Sequence, residues 1–280
     1  MTVSPLYSIV LPCHHCAQLC RQVVEGLLQD FTQNTCEIII VSDDNSEADT
    51  KILHALCAAH PNVKALLFDT RLGKGCAVQR GLYAAHGKFV AYLDGDMAIS
   101  PRHVKDFFSI LESDAGVDIV IGNRTSYETH AIRKLTSRIY RLLNMILFRL
   151  PVRDTQAGIK AFTADAAKNI FNELTVYGYA FDIEVLVLAV RKHLNIREFS
   201  VQQTAKPHSS MTLGSVFRMV DDTLRIYQLE WMSDIWPLTL LSLRHLFLLP
   251  ASWLGRGIFW CVQVVFPAEY QRSKKADPAK

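Results

Sequence analysis

The sequence predicts an α/β protein whose mostly parallel sheet is flanked by helices, and two observations carry that prediction. Short apolar runs of strand length alternate with amphipathic runs of helical length through the first 121 residues. Most of the apolar runs end in polar or glycine-containing turns. Such βαβα alternation predicts crossover helices that cover both faces of a parallel sheet. We therefore expect an α/β domain over residues 1–230.

The predicted elements follow one another at regular spacing. The expected strands are residues 7–11, 37–41, 63–68, 89–93 and 118–121. The expected helices between them are residues 16–31, 49–60, 76–86 and 102–112. Later in the domain we expect a helix at 133–150 with one apolar and one basic face, a buried helix at 180–192 and an edge strand at 196–203.

Residues 231–270 have the composition of a membrane-interface segment. This region is dense in Leu, Phe and Val, and it contains all four tryptophans, whose indole rings favour the headgroup level of a bilayer. Charged residues and Pro250 divide it into pieces shorter than the ~20 apolar residues of a spanning helix. We expect amphipathic interfacial helices here and a disordered tail at 271–280, with a helical cap packed on the domain or on a partner subunit as the alternative.

The overall composition argues against several classes of function. The chain has 30 Lys and Arg against 27 Asp and Glu, and this net charge of +3, without a basic and aromatic stripe, does not favour nucleic-acid binding. The N-terminus enters the first strand without a basic or long apolar leader, so a secretory signal is not expected. Seven cysteines among 280 residues suit a reducing compartment better than a disulfide framework.

The chemistry-bearing residues cluster where predicted strands end. They are Asp43 and Asp44, Gly73-Lys74-Gly75, Asp94-Gly95-Asp96, and Gly122-Asn123-Arg124. The carboxyl ends of parallel strands form the ligand crevice of open α/β sheets. Paired carboxylates suit Mg²⁺ or Mn²⁺ shared with substrate phosphates, and lysine and arginine suit the remaining phosphates. The residues at this edge of the sheet therefore predict a nucleotide-diphosphate site. An Asp-Gly pair taken alone is also typical of a solvated turn.

Six sequence motifs occur in a characteristic order. They are residues 40–46 (IVSDDNS), 72–78 (LGKGCAV), 93–97 (LDGDM), 122–124 (GNR), 153–160 (RDTQAGIK) and 178–184 (GYAFDIE). Together they resemble family 2 glycosyltransferases of GT-A (Rossmann-like) fold, in the branch that makes polyprenyl-phosphate sugars. The resemblance runs from about residue 7 to 227. It implies an inverting enzyme that moves a hexose, from UDP-glucose rather than GDP-mannose, to dolichyl or undecaprenyl phosphate.

The edge of the sheet and the resemblance together predict the site residues. Donor-binding candidates are Pro12, Asp43, Asp44, Lys74, Asp94 and Gln156, and the resemblance implies that Arg124, Arg133 and Ser137 hold the acceptor phosphate. Catalytic candidates are Asp94, Asp96 and Asp154, and Asp96 with Asp94 would bind the metal that neutralises the leaving diphosphate. A phosphate acceptor is largely dianionic at neutral pH and needs no strong base, whereas a sugar hydroxyl would need one, for which Asp154 is the candidate.

Two departures from the family pattern leave alternatives open. Pro12-Cys-His-His-Cys16 stands where the family usually has Pro-X-Tyr-Asn-Glu, and Ser209-Ser210-Met211 stands where a basic residue is usual. Lys206 or Arg218 would have to replace that cation. The alternatives are a transferase acting on a sugar hydroxyl or a protein, and a non-catalytic nucleotide-sugar-binding subunit.

The motif between Cys13 and Cys16 has the ligand types of a zinc site, but no second ligand pair stands at matching spacing, so zinc is not favoured. The expected partners are the nucleotide-sugar donor, the lipid acceptor and the membrane surface, with a membrane-protein partner or a second copy of the chain as further possibilities. We expect a peripheral or monotopic protein on the cytoplasmic side of a membrane.

Overall fold

The computed structural model describes residues 4–126, 147–203 and 218–228, together with Tyr140 and Asn144. The strands are β1 (Tyr7–Cys13), β2 (Cys36–Asp43), β3 (Val63–Phe68), β4 (Phe89–Leu93), β5 (Ile119–Ser126), β6 (Ile159–Thr163) and β7 (Ile196–Gln202). The helices are α1 (Ala17–Asp30), α2 (Glu47–Ala59), α3 (Lys74–Tyr83), α4 (His103–Ser113), α5 (Ala164–Phe171) and α6 (Phe181–Arg191). Residues 218–228 are also helical.

The strands form a seven-stranded sheet in the order β3-β2-β1-β4-β6-β5-β7. Strand β6 is antiparallel to both of its neighbours, and the other pairings are parallel. The predicted α/β class with a mostly parallel sheet is therefore confirmed. Strand β7 lies at one edge of the sheet, as the sequence predicts for residues 196–203.

Helices cover both faces of this sheet and explain the continuous apolar runs of its central strands. All eight residues of β2 and all five of β4 are buried. One core packs α1, α2 and α4 against the sheet, and a second core packs α3, α5 and α6 against the opposite face. A strand covered on both faces has no solvent side, so its central residues form a continuous apolar run, as at residues 38–41 and 89–93, instead of alternating.

Two parts of the sheet differ from the sequence-based prediction. Strand β6 and helix α5 are not among the predicted elements. Strand β5 continues to Ser126 because it pairs with β7 along this length, with Gly122 opposite Phe199 and Arg124 opposite Val201. The prediction that Gly122-Asn123-Arg124 follows the end of a strand is therefore wrong, since these residues lie within β5.

Several predictions fall outside the described residues. These are most of the helix at 133–150, including Arg133 and Ser137, the residues around Lys206, and everything from residue 229 onward. Within the described residues, no helix has both the length and the apolar character needed to cross a membrane.

Candidate functional site

The Asp94-Gly95-Asp96 turn begins directly where β4 ends. The backbone N–H of Asp94 donates to the carbonyl oxygen of Gly158 at 2.8 Å, which places the turn against the start of β6. A Cβ on Gly158 would overlap the Asp94 carboxylate, so only glycine leaves room for that side chain. Asp96 is fixed locally, because its Oδ1 accepts the backbone N–H of Ala98 at 3.0 Å. The two acids are thus presented together from one short turn.

The end of β1 supports the same turn from the other side. A Cβ on Gly95 would lie 3.2 Å from the carbonyl oxygen of Pro12, so the backbones of the two segments approach closely. Strands β1 and β4 are parallel neighbours, which brings their carboxyl ends to one edge of the sheet. Pro12 therefore lies beside the acidic turn.

Lys74 lies between two carboxylates at this edge. Its Nζ is 2.8 Å from Asp94 Oδ1 and 3.6 Å from Asp182 Oδ2. Burial lowers the pKa of Lys74, but the charges of Asp94 and Asp182 outweigh that effect and raise the pKa above its ordinary value. Lys74 is therefore a fixed positive charge in direct contact with the acidic turn.

Asp182 anchors a fully buried polar network below Lys74. It accepts bonds of 2.5 Å from the Nζ of Lys160 and from the hydroxyl of Tyr92. Burial acts to raise the pKa of Asp182, but the neighbouring lysines outweigh it and hold the pKa below its usual range, whereas burial lowers the pKa of Lys160. An ionised Asp182 thus compensates Lys160, whose side chain is 0% exposed, and also binds Lys74.

Glu184 positions Lys74 by a second route. Its buried carboxylate accepts the backbone N–H groups of Thr175 and Val176, which fixes the segment before α6. In that segment the carbonyl oxygen of Tyr177 accepts the N–H of Gly75 at 2.9 Å. The motif at residues 178–184 therefore holds Lys74 directly through Asp182 and indirectly through Glu184.

Gly73, directly before Lys74, also lies against the backbone of Tyr177. Gly73 has φ 85°, a left-handed conformation that favours glycine, and a Cβ there would lie 2.8 Å from the carbonyl oxygen of Tyr177. Gly73 thus allows helix α3 to begin at Lys74 in close contact with the Tyr177 backbone.

Arg124 and Asp154 form a bidentate ion pair. Arg124 Nε and Nη2 donate to the two oxygens of Asp154 at 2.5 and 2.8 Å, and the backbone N–H of Arg124 adds a bond of 3.2 Å. Burial acts to raise the pKa of Asp154, but the bonds and the charge of Arg124 outweigh it and hold the pKa below its usual range. Asp154 is therefore a firmly ionised carboxylate and a weak base.

Residues 154–158 connect this pair to the acidic turn. Gln156 donates its backbone N–H to Asp154 at 3.2 Å, and its side-chain amide lies 3.2 Å from the sulfur of Met219. Two residues later, Gly158 contacts Asp94. The structure therefore brings Arg124, Asp154, Gln156 and Asp94 together along one short segment.

Asp43 and Asp44 are adjacent in sequence but differ in burial and in hydrogen-bond partners. Asp43 is buried: Oδ1 lies 2.8 Å from His14 Nδ1, while Oδ2 accepts the backbone N–H groups of Leu72 and Gly73 at 2.6 and 3.3 Å. Asp44 is exposed and lies 3.6 Å from His15. In this structure Asp43 therefore supports the segment leading to Lys74, a role that the sequence alone does not predict.

The acidic turn has the chemistry that a divalent cation needs. Asp94 and Asp96 supply hard oxygen donors, and Mg²⁺ sites that share substrate phosphates commonly use only one or two protein carboxylates. Among the described residues, His14, His15 and Asp44 form a group of three side chains that could hold a metal ion, with ligand atoms within 4.8 Å of one another. The Asp94-Asp96 turn fits the predicted magnesium or manganese better, because imidazole ligands are typical of softer metals.

Lys160, Asp182 and Glu184 lie in two of the six sequence motifs but were not predicted to belong to the site. An available signal was the single lysine in the otherwise uncharged strand IKAFT, since a fully buried lysine needs a carboxylate partner. By contrast, a shallow cavity of about 350 Å³ lined by residues 28–33 and His60 lies toward the amino ends of β2 and β3. It is therefore away from this site.

Comparison with known proteins agrees with this fold. Residues 8–171 match the family described as Glycosyl transferase family 2. Among curated proteins, a dolichyl-phosphate beta-glucosyltransferase of Trichomonas vaginalis is 28% identical over 239 residues, which covers 78% of this chain and 72% of the relative. That of Dictyostelium discoideum is 28% identical and covers 71% and 64%, and that of Homo sapiens is 28% identical and covers 73% and 67%. The chain thus spans roughly two thirds of these relatives.

Solved structures share the architecture. Glucosyl-3-phosphoglycerate synthase from Mycobacterium tuberculosis in complex with Mn²⁺, UDP and phosphoglyceric acid has a TM-score of 0.64 at 19% identity, covering 80% of this chain and 78% of that one. Its complex with Mg²⁺ and UDP has a TM-score of 0.63 at 18% identity, covering 79% of each chain. At this identity the likeness shows the fold alone. The family match covers more than half of the sequence, and the chain therefore belongs to glycosyl transferase family 2.

Proposed function

We propose that this protein transfers glucose from UDP-glucose to the phosphate of a polyprenyl phosphate, with inversion at the anomeric carbon. The observation that carries the proposal is the bidentate pair of Arg124 and Asp154 beside the acidic turn. Relatives named dolichyl-phosphate beta-glucosyltransferase support the acceptor and the sugar. Complexes of a structural neighbour with UDP support the nucleotide.

The state of Asp154 argues for a phosphate acceptor. A sugar hydroxyl must lose a proton as it attacks, and a general base works best when its pKa lies near the operating pH. Asp154 has a lowered pKa and both of its oxygens bind Arg124, so it is poorly suited to that task. A phosphate monoester is already largely dianionic and needs only a positioned cation, which Arg124 supplies.

On the donor side, the chain provides carboxylates and a lysine. Mg²⁺ or Mn²⁺ held by Asp96 and Asp94 would neutralise the charge that develops on the leaving UDP. Lys74 orients the Asp94 carboxylate and adds a positive charge close to where the diphosphate would lie. An in-line displacement then requires the acceptor phosphate to approach from the side of Arg124.

The remaining assignments complete the proposed site. We assign the base and ribose of the donor to Pro12, Asp43 and Asp44, the sugar to Gln156, and further contacts with the acceptor phosphate to Arg133 and Ser137. The last two residues lie outside the described part of the chain, and their assignment depends on the family resemblance.

A product assay tests the proposal. Purified full-length protein is incubated with UDP-glucose or GDP-mannose, Mg²⁺ or Mn²⁺, and either polyprenyl phosphate or the corresponding polyprenol, and the lipid product is identified by mass. We expect a hexosyl phospholipid from UDP-glucose and polyprenyl phosphate, and none after chelation of the metal. The anomeric coupling constant of the product should report inversion. Transfer to a hydroxyl acceptor alone would contradict the phosphate assignment, and UDP-glucose binding without turnover would favour a non-catalytic subunit.

We further propose that residues 231–270 hold the enzyme at the membrane surface, where the lipid phosphate lies. Vesicle sedimentation of the full chain and of a chain ending at residue 230 checks this, with thermal unfolding to verify that the shorter chain is folded. We expect the folded shorter chain to remain in the supernatant. Undiminished sedimentation would show that another segment binds the membrane.

A further inference from the structure

Three cysteines converge beneath the candidate donor site. Cys13 is the last residue of β1, Cys16 directly precedes α1, and Cys20 lies on the first turn of that helix. The sulfurs of Cys16 and Cys13 are 3.4 Å apart, and all three thiols are free. Cys13 and Cys20 are buried, whereas Cys16 is partly exposed. The glycosyl transfer proposed above uses none of them.

In the structure, the histidines and the cysteines of the Cys-His-His-Cys motif point in different directions. His14 and His15 turn toward Asp43 and Asp44 at the edge of the sheet, while the cysteines turn inward toward one another. The four residues therefore do not converge on one ion, and the motif does not form the mixed zinc site that its ligand types alone would allow. What remains is a pair of thiols in contact, with two residues between them in a tight turn.

We propose that Cys13 and Cys16 are a redox modification site: they form a reversible disulfide by exchange with a small-molecule disulfide, and this bond weakens donor binding. The modification itself is independent of the glycosyltransferase proposal. Its effect on donor binding depends on that proposed function.

The chemistry balances with the disulfide reagent RSSR as the oxidant. Hydrogen bonds from the thiols of Cys16 and Cys20 lower the pKa of Cys13, while the bond with Cys13 and burial raise the pKa of Cys16. The remaining proton of the ionised pair therefore favours Cys16, and it must pass to Cys13 across the 3.4 Å contact before Cys16, the more exposed sulfur, can attack. When that proton is on Cys13, the Cys16 thiolate attacks RSSR, forms a mixed disulfide and releases RS⁻, which takes the proton from Cys13. The Cys13 thiolate then attacks the Cys16 sulfur and expels a second RS⁻. Two cysteines are oxidised and one RSSR is reduced to two thiols.

Geometry couples this bond to the donor site. A disulfide requires an S–S distance of about 2.05 Å, so the two sulfurs must approach by about 1.4 Å. The turn that moves contains His14, whose Nδ1 lies 2.8 Å from the Asp43 carboxylate. It also adjoins Pro12, whose carbonyl oxygen packs against Gly95 of the acidic turn. Closure of the disulfide should therefore displace both supports of the donor side.

The first measurement is the mass of the full-length protein after equilibration with mixtures of oxidised and reduced glutathione. We expect a loss of about 2 Da, reversed by dithiothreitol, with the cross-link mapped to Cys13 and Cys16. Cys16→Ser should abolish the cross-link, and Cys57→Ser, a partly buried cysteine on α2, is the matched control that should retain it. A persistent glutathione adduct, or a link from Cys13 to Cys20, would overturn the assignment.

The second measurement is UDP affinity in the presence of Mn²⁺ for the reduced and oxidised proteins. We expect about tenfold weaker binding after oxidation, with full recovery on reduction and no change in Cys16→Ser treated in the same way. Equal affinities in the two forms would overturn control of donor binding. If UDP binds neither form, the proposed function fails and the control fails with it, while the mass measurement still decides the disulfide.

Discussion

Lys74 and Arg124, two cations at the same edge of the sheet, contact their carboxylate partners in different ways. Lys74 is shared between Asp94 and Asp182, at 2.8 and 3.6 Å. Arg124 instead meets Asp154 through two bonds to one carboxylate. Lysine is a compact charge with rotatable donors, whereas the guanidinium is a planar fork with a fixed direction. The Lys74 side of this edge is therefore suited to exchanging partners, and the Arg124 side to holding one orientation.

This difference bears on what each side does in the proposed reaction. When a metal and a diphosphate engage Asp94, Lys74 can keep its contact with Asp182 and remain compensated. Arg124 has its direction fixed by Asp154 before any substrate arrives, which reduces the cost of ordering it on binding. The comparison predicts that changes around Lys74 affect stability and donor binding together, whereas changes at Arg124 mainly affect the acceptor.

The largest effect is expected from Asp182→Asn. This substitution leaves Lys160, which is 0% exposed, without an ionised partner, and breaking a buried pair in this way costs about 3–5 kcal/mol. Urea unfolding should show this loss, and activity should fall as well because Lys74 loses one of its two carboxylates. Asp165→Asn, an exposed acid in the first turn of α5, is the control and should cost less than about 1 kcal/mol. Equal stability of the two variants would contradict the role of the buried network.

Gly158→Ala should separate function from stability. The added methyl group would overlap the Asp94 carboxylate, the movable end of a side chain, so the fold can adjust while the acid is displaced. A displacement of about 1 Å in a reacting group can cost about a hundredfold in rate. We expect a loss of that order in kcat/KM with a nearly unchanged Tm. Gly116→Ala, in an exposed turn, is the control, and wild-type activity of Gly158→Ala would show that the position of Asp94 does not matter.

The N-terminal part of the fold could be predicted from sequence because each of its strands is an apolar run bounded by turns. Strand β3 matches its prediction at both ends, and β4 does as well. Strand β6 was not predicted because Lys160 interrupts its apolar pattern, and helix α5 was not predicted because it is only eight residues long. That lysine is accommodated by a partner 22 residues away, which a local pattern does not reveal.

The candidate site, like the fold, was predicted from sequence only in part. The acids at the end of β4 were predicted, since a strand-end Asp-Gly-Asp is a local signal. The support beneath them was not, because the Tyr92 and Asp182 contact spans 90 positions of the sequence. The bracing role of Asp43 also depends on distant partners, as Leu72 is 29 positions away. Sequence thus indicated which residue types gather at this edge, and tertiary structure decides which of them bind one another.

Arg124→Lys tests whether binding of the acceptor phosphate depends on the orientation of the Arg124 guanidinium that Asp154 fixes. Lysine keeps the charge but loses the two-pronged contact with Asp154, so the cation should be less well oriented. We expect the KM for polyprenyl phosphate to rise about tenfold while the affinity for UDP stays unchanged. Arg197→Lys, in an exposed pair on β7, is the control and should leave both parameters unaltered. A selective loss of UDP affinity in Arg124→Lys would place this arginine on the donor side.

The smallest expected effect is the contribution of Asp154 to the pH dependence of stability. It is also the effect most specific for this residue. Its pKa in the folded protein lies below the ordinary value of 3.8, so its ionised form contributes stability that is fully present above pH 3.8 and is lost as the pH falls through the lower folded pKa. Asp154→Asn should therefore reduce the free energy of unfolding by about 1–2 kcal/mol, equally at pH 5 and pH 7. The difference from wild type should shrink only below pH 3.8. A difference that changed between pH 5 and 7 would mean that Asp154 titrates near neutrality, as a general base would, and would favour a hydroxyl acceptor over a phosphate.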